Sequence, residues 1–299
     1  MKKAEHYALG SLALGCVVLG LKTVAWWLTG SAALYSDALE SIVNVAASVV
    51  AWVALRLAAK PADLTHQYGH DKAEFFSAIV EGILIVVAAL LIFEEAWVSW
   101  RDPRHLSLPV LGILLNALAT VLNGFWSWLL LRVGRRLHSP ALVADGRHLL
   151  ADVMTSVGIA LGVTLSVLSG WIALDALLAA ATGVYVLWSG AAMIMGSING
   201  LMDAAPEPAV VNRIRALVAE TGTGAIEAHD FRSRHAGQHT FLEFHLVVPG
   251  AMTVSEAHAI CDRIEAALRA EMEHVWVTIH VEPEEKAKHE GSQVQKIVG

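Results

Sequence analysis

Six stretches of the chain are each long and apolar enough to span a lipid bilayer: Tyr7–Thr29, Ala32–Leu57, Phe75–Trp97, Leu108–Leu131, Val143–Leu168 and Trp171–Met195. A helix needs roughly 20 such residues to cross the hydrocarbon core. Lipid offers no partner for a bare peptide group, so segments of this length enter it as helices. The pattern therefore predicts a six-helix membrane bundle. Composition agrees, because 56% of residues are hydrophobic and 16% charged, against about 25% charged in soluble domains. The net charge of −7 excludes nucleic acid as a partner, which asks for a basic face. Cys16 lies in an apolar run and Cys261 in a charged one, so the chain has neither a disulfide framework nor a thiolate zinc site. Lys2 and Lys3 precede a run without a small-residue cleavage site, which is therefore expected to stay as the first span.

Lys and Arg cluster in alternate connections. Lys2 and Lys3 precede span one, Arg56, Lys60 and Lys72 flank the second connection, and Arg132, Arg135 and Arg136 lie in the fourth. That bias predicts both termini on the cytoplasmic side, with Trp26, Trp27, Trp97, Trp100 and Trp171 at the outer interface. From Asp203 the chain turns charged and amphipathic. The expected division is a transport domain over 1–202, a cytoplasmic metal-binding and dimerisation domain over 203–284, and a disordered tail over 285–299.

The second domain reads as helix, two strands, helix and strand (αββαβ). Leu242, Phe244, Leu246 and Val248 alternate with Glu243 and His245, and Val275, Val277, Ile279 and Val281 alternate with Trp276, Thr278, His280 and Glu282. Thr253 and Glu256 form a capping box. The product is a small α+β domain with an apolar inner face and a histidine-bearing outer face.

Ionisable residues inside a span are costly and point to function. Span two carries Asp37, Glu40 and Asn44, and span five carries Asp145, His148 and Asp152. Positions three and four apart share a helix face, so Glu40 with Asn44 and His148 with Asp152 offer four N/O ligands to one point. That set suits a tetrahedral site for zinc or a similar ion. Its two carboxylates would be neutralised by a divalent cation, and metal binding would release protons. Interhelical hydrogen bonding is the plainer reading of the same residues. Lys22, Glu94 and Glu95 are read as snorkelling or water-reaching side chains, Glu81 as facing the bundle interior, and Asp175 as a cap or an ion guide.

Two further clusters lie outside the spans. Asp63, His66 and His70 share a short connection, as a second metal site or a solvated polar loop. In the second domain His229, His245, His258, His280 and Glu282 recur on one surface, as metal-binding tracts do. His6, His105, His138, His274 and His289 are ordinary surface histidines.

These residues resemble the bacterial cation diffusion facilitators, in their zinc/iron-exporting branch. The resemblance runs from Tyr7 to Pro283 and is carried by GSAALYSDALESIVNVAAS (30–48), PADLTHQYGHDKAE (61–74), ADGRHLLADVMTS (144–156) and the strings AHD, HL, EAH and IHVEP. It implies an inner-membrane homodimer with a ferredoxin-like, metallochaperone-like cytoplasmic domain, exchanging metal for protons by alternating access. It places the transport site on Glu40, Asn44, His148 and Asp152 and the loop site on Asp63, His66 and His70. A binuclear site at the dimer interface falls on His229, His245, His258, His280 and Glu282, and a charge interlock on Lys72 and Asp203. The chain departs from the family at Glu40/Asn44, where Asp/Asp or His/Asp is usual, and at Glu282, where Asp is usual. Asp37 would then add an oxygen.

The expectation is an efflux transporter for Zn²⁺, with Fe²⁺, Co²⁺, Ni²⁺, Cd²⁺ or Mn²⁺ as alternative substrates. A membrane-anchored metal sensor is the second reading. An intramembrane metalloenzyme lacks support, since no HExxH is present.

Overall fold

The computed structural model describes residues 2–29, 32–101, 110–169, 173–272, 274–288 and 294–297. The chain forms two compact units, Met1–Ile198 and Asn199–Gly299.

The first unit holds six long helices: α1 (Lys2–Thr29), α2 (Ala32–Ala58), α3 (Ala73–Arg101), α4 (Val110–Arg136), α5 (Pro140–Ser169) and α6 (Ala173–Leu201), the last running just past the unit's end. Among the described residues, five of them are long and apolar enough to cross a membrane: α1, α2, α3, α4 and α6. Helix α5 has 30 residues but carries Asp145, Arg147, His148 and Asp152 in its first half. It is thus the polar helix of a helical membrane domain. The connection over 102–109, with Arg104 and His105, lies outside the described residues, as do Trp171 and the side chains of Trp26, Glu95 and Asp175.

Small residues let these helices approach closely, which is how helices pack where lipid removes the hydrophobic drive. A Cβ on Gly82 of α3 would lie 2.6 Å from Ile194 of α6, and one on Gly190 of α6 would lie 3.1 Å from the Gly82 carbonyl oxygen. Helices α1, α2, α4 and α5 share one core of Ala4, Ala8, Leu55, Leu130, Ala141, Leu142 and Leu149. Helices α3, α5 and α6 share another, built on Ala78, Ile85, Ala89, Ala144, Ala151, Val186 and Met193. Large apolar side chains such as Leu90, Leu91, Val121 and Trp188 stay exposed on the rim, as a lipid-facing surface requires.

The second unit follows the order α7 (Pro208–Thr221), β1 (Glu227–Ala236), β2 (His239–Val248), α8 (Val254–Glu271), β3 (Val275–Pro283) and β4 (Gln295–Lys296). Its sheet has the order β3-β2-β1-β4. Strands β1 and β2 run antiparallel, and β2 and β3 run parallel across the α8 crossover. Leu242, Phe244, Leu246, Val248 and Val275 join Ile214, Val218, Ile260, Ile264 and Leu268 of the two helices in one core. The alternation read from sequence thus buries the expected face, except at Val281 near the end of β3, which is exposed. The fourth strand is a difference: part of the segment read as a disordered tail pairs with β1, Glu227 opposite Lys296 and Ala228 opposite Gln295. Ile297 packs on the apolar core beside it, which supplies the burial that fixes this short strand.

Candidate metal centres

Three groups of ligand-type side chains converge. In the first unit, Asn44 of α2 meets His148 and Asp152 of α5, and all three are buried. The Asn44 amide donates to Asp152 Oδ2, and its Oδ1 lies 2.8 Å from His148 Nε2. An amide oxygen only accepts, so Nε2 carries the proton in this contact. Asn44 therefore bridges the two metal-type ligands. Glu40 stands one turn before Asn44 on α2 and Asp37 three residues before that, but their side chains lie outside the described residues. The start of α5 is set by Glu74 of α3, whose Oε2 accepts from the Ser139 hydroxyl and from Ala141 N–H at 3.4 Å.

The second group sits between α2 and α3, at the end of the unit where α5 begins. Asp63, His66 and His70 each present one ligand atom within 4.8 Å of the others. His66 Nδ1 and His70 Nε2 both stand 3.5 Å from Asp63 oxygens. Asp63 Oδ1 closes the turn by accepting from Thr65 N–H at 2.8 Å, Thr65 Oγ1 at 2.7 Å and His66 N–H at 2.7 Å. The Thr65 hydroxyl, then the two N–H groups, hold the Asp63 carboxyl well below the usual carboxylate range. Gly69 has φ 87°, a left-handed turn that brings His70 back toward Asp63.

The third group forms a row across the sheet of the second unit. His229 pairs with His245 and His245 with His280 in strand register, so three strands put three imidazoles side by side. The next row holds Glu227, Val247 and Glu282. Glu282 reaches back to all three: Oε2 stands 3.3 Å from His229 Nε2, and Oε1 stands 3.2 Å from His245 Nδ1 and 3.7 Å from His280 Nε2.

A β-bulge interrupts β1 just after His229, between His229 and Arg232. Asp230 there has φ 53°. Successive strand residues ordinarily point to opposite faces, but the bulge re-aims them. Asp230 thereby joins His229 and His245, with ligand atoms within 4.8 Å of one another. Lys288 Nζ bonds Asp230 Oδ1 at 2.6 Å and holds that carboxyl low.

Behind His229 lies Glu227, 2% exposed. Its Oε1 lies 3.1 Å from His229 Nδ1 and accepts from Lys288 N–H at 2.7 Å. With Nδ1–H donated to Glu227, Nε2 is left as an acceptor facing Glu282. A carboxylate behind a histidine is the usual way to fix a ligand's tautomer and ring plane.

The expected set is therefore regrouped. His229, His245, His280 and Glu282 come together. His258 does not join them within the protomer; it stands on α8 with Nε2 3.6 Å from Asp262. Lys72 belongs to the first unit and Asp203 to the second, and Asp203 pairs with Arg234 of its own unit at 3.1 Å. Asp230 and Glu227 were missing from the sequence-derived set. Glu227 shares strand parity with His229 and was legible by that rule, whereas Asp230 depends on a bulge.

Known proteins match the chain along most of its length. Residues 9–202 match the model of the cation efflux transmembrane domain, and residues 206–284 match that of the cation efflux protein cytoplasmic domain. The chain is 43% identical over 285 residues to the uncharacterised transporter sll1263 of Synechocystis sp., covering 95% of this chain and 92% of that one. It is 34% identical over 280 residues to the cation-efflux pump FieF of Yersinia pestis, covering 92% of this chain and 91% of that one. A solved structure of CzrB, described as a candidate zinc transporter and in its zinc form, is 48% identical over 28% of this chain and 96% of that one, with a TM-score of 0.27.

Proposed function

The chain belongs to the cation efflux family of multi-pass membrane transporters, the cation diffusion facilitators, and from that premise we propose that it exports a divalent transition-metal ion, zinc before others, in exchange for protons. The observation that carries this reading is the buried contact of Asn44 with His148 and Asp152 between α2 and α5. With Glu40 one turn from Asn44 on α2, the set becomes two carboxylates, an imidazole and an amide oxygen. Four N/O donors suit tetrahedral zinc. Fe²⁺, Co²⁺, Ni²⁺, Cd²⁺ and Mn²⁺ are the alternatives that a mixed N/O set leaves open.

Proton coupling would come from the ligand set. His148 Nε2 faces Asn44 Oδ1, so a neutral imidazole offers that nitrogen to a metal by shifting its proton to Nδ1, with no net release. The protons exchanged are those that the carboxylates or an imidazolium carry in the empty site, and their return displaces the metal. In the proposed cycle an inward-facing bundle admits the ion past the Asp63–His66–His70 loop. Asn44, Asp152, His148 and Glu40 then take it as protons leave, the bundle rocks outward, and external protons release it.

The chain works in this reading as an inner-membrane homodimer with both termini cytoplasmic. The row His229–His245–His280 with Glu282 binds metal there and tightens the dimer, with His258 supplied from a partner copy. Metal at that row and the transport step would then be coupled sites.

Metal uptake into proteoliposomes under an imposed pH gradient tests the proposal, with Zn²⁺, Fe²⁺, Co²⁺, Cd²⁺ and Mn²⁺ in parallel. Gradient-driven uptake that Asp152→Ala abolishes supports it and ranks the metals. Flat traces for every metal favour the second reading, in which the histidine row makes the protein a membrane-anchored metal sensor.

A further inference from the structure

Two carboxylic acids of the first unit are more deeply enclosed than Asn44, His148 and Asp152 and take no part in the group those three form. Glu81 of α3 is 0% exposed and Asp145 of α5 is 1% exposed. Ala78 and Ile85, one turn to either side of Glu81, share a core with Ala144 and Ala151 of α5. Helix α3 therefore packs on α5 at the level of Glu81 and Asp145. Ser77 Oγ donates to Glu81 Oε1 at 3.3 Å, and Ser48 Oγ of α2 donates to Asp145 Oδ1 at 3.5 Å. The other oxygen of Glu81, Oε2, is buried without a hydrogen-bond partner. Ser11 of α1, buried as well, stands beside Asp145 as a hydroxyl donor to that acid.

Such a pair does not rest as two bare anions. Burial disfavours each charge, and two like charges side by side disfavour both. The cation-capable group one turn from Asp145 on α5 is His148. Among the described residues, α2 presents Ser48 and Asn44 to this region, α6 presents Val186 and Met193, and α1 presents Ser11. Lys22 is eleven residues, or about 16 Å, further along α1 than Ser11. A divalent ion would need a shell of four or more donors at about 2 Å, whereas a proton needs one orphaned oxygen and no extra room.

We propose that Glu81, paired with Asp145, holds a transported proton at a site separate from the metal ligands. The pair lies one turn, about 4.5 Å along α5, from His148, on the side toward the Glu74–Ser139 contact. A divalent ion arriving at His148 and Asp152 brings positive charge within a turn of the pair and drives that proton off. When the proton returns, the negative charge that helps hold the ion is removed. This inference rests on the proton-coupled transport reading and adds to it a second proton carrier that never touches the metal.

The test uses the full-length protein in lipid. Infrared difference spectra on adding Zn²⁺ should show a protonated-carboxyl C=O band that disappears on metal binding in the wild type. Glu81→Gln should lack that band while binding zinc with unchanged stoichiometry, and its uptake should lose most of its dependence on the pH gradient. Asp145→Asn is the second variant and should shift the band. A band and gradient dependence both unchanged in Glu81→Gln overturn the proposal. So does a zinc stoichiometry lower by one ion, which would make the pair a metal subsite. If the wild type shows no gradient-driven uptake, the transport reading falls, and the infrared arm still decides whether Glu81 holds a proton.

Discussion

Asn44 and Asp152 meet across the α2–α5 contact, the amide of the first donating to the carboxylate of the second. The amide thus holds Asp152 in place without adding charge, and a carboxylate at position 44 would have repelled it. The neutral residue therefore fixes the charge the metal must balance. Asn44→Asp is expected to make each bound Zn²⁺ release up to one additional proton. Calorimetry in buffers of different ionisation enthalpy reads this as a steeper buffer dependence. Asp152→Ala should abolish gradient-driven uptake while the protein still inserts, since the ion loses its carboxylate and Asn44 its acceptor.

That contact was legible in the sequence because a helix repeats on a simple period: Asn44 with Glu40, and His148 with Asp152, stand four apart. The histidine row was legible for the same kind of reason, since His245 and His280 each lie on the polar side of an alternating strand. Two features escaped. Asp230 reaches the row through a left-handed residue in a bulge, and strand parity sends it to the other face. Strand β4 escaped because residues 285–299 are polar and look solvated, and what fixes the strand is Ile297 packing on the apolar core, a tertiary contact no local pattern carries.

Glu227 stands behind His229 as an outer carboxylate, with 3.1 Å between Oε1 and Nδ1. Losing such a partner typically weakens metal binding by about 10- to 100-fold. Glu227→Gln is expected to weaken zinc binding at the histidine row by that order. Asp152→Ala serves as the background, so that the transport site does not contribute. Competition with a chelating dye measures it, and a Co²⁺ spectrum that changes along with the affinity separates reorientation of His229 from general loosening. An unchanged affinity would make Glu227 only a tether for Lys288.

Gly82 and Gly190 let α3 and α6 touch backbone to backbone. A side chain at 190 meets the Gly82 carbonyl at 3.1 Å and Ile85 at 2.9 Å, and a carbonyl held in a helix cannot step aside. Gly190→Ile should destabilise the unit by roughly 1–3 kcal/mol, the usual range for overpacking. Thermal unfolding in detergent should show the loss, and Gly196→Ala, where a Cβ meets nothing within 4 Å, should not.

Glu256 gives a pH dependence of known sign. Its Oε2 accepts from Thr253 N–H at 2.9 Å and from the Thr253 hydroxyl at 2.8 Å, closing the capping box that starts α8. Those bonds, the backbone one first, hold its carboxyl below the ordinary value. A folded-state pKa below the unfolded one contributes stability that is full above the unfolded value, about 4.3 for glutamate. It is lost as pH falls through the lower folded value. The difference in unfolding temperature between wild type and Glu256→Gln should therefore be constant from about pH 8 to pH 5 and close below about pH 4. Glutamine keeps the cap geometry but not the charge, so a difference that persisted at low pH would assign the effect to packing instead. Thr253→Ala removes the hydroxyl that Glu256 N–H donates to at 3.3 Å and should cost about 1 kcal/mol between about pH 8 and pH 5, where Glu256 is ionised.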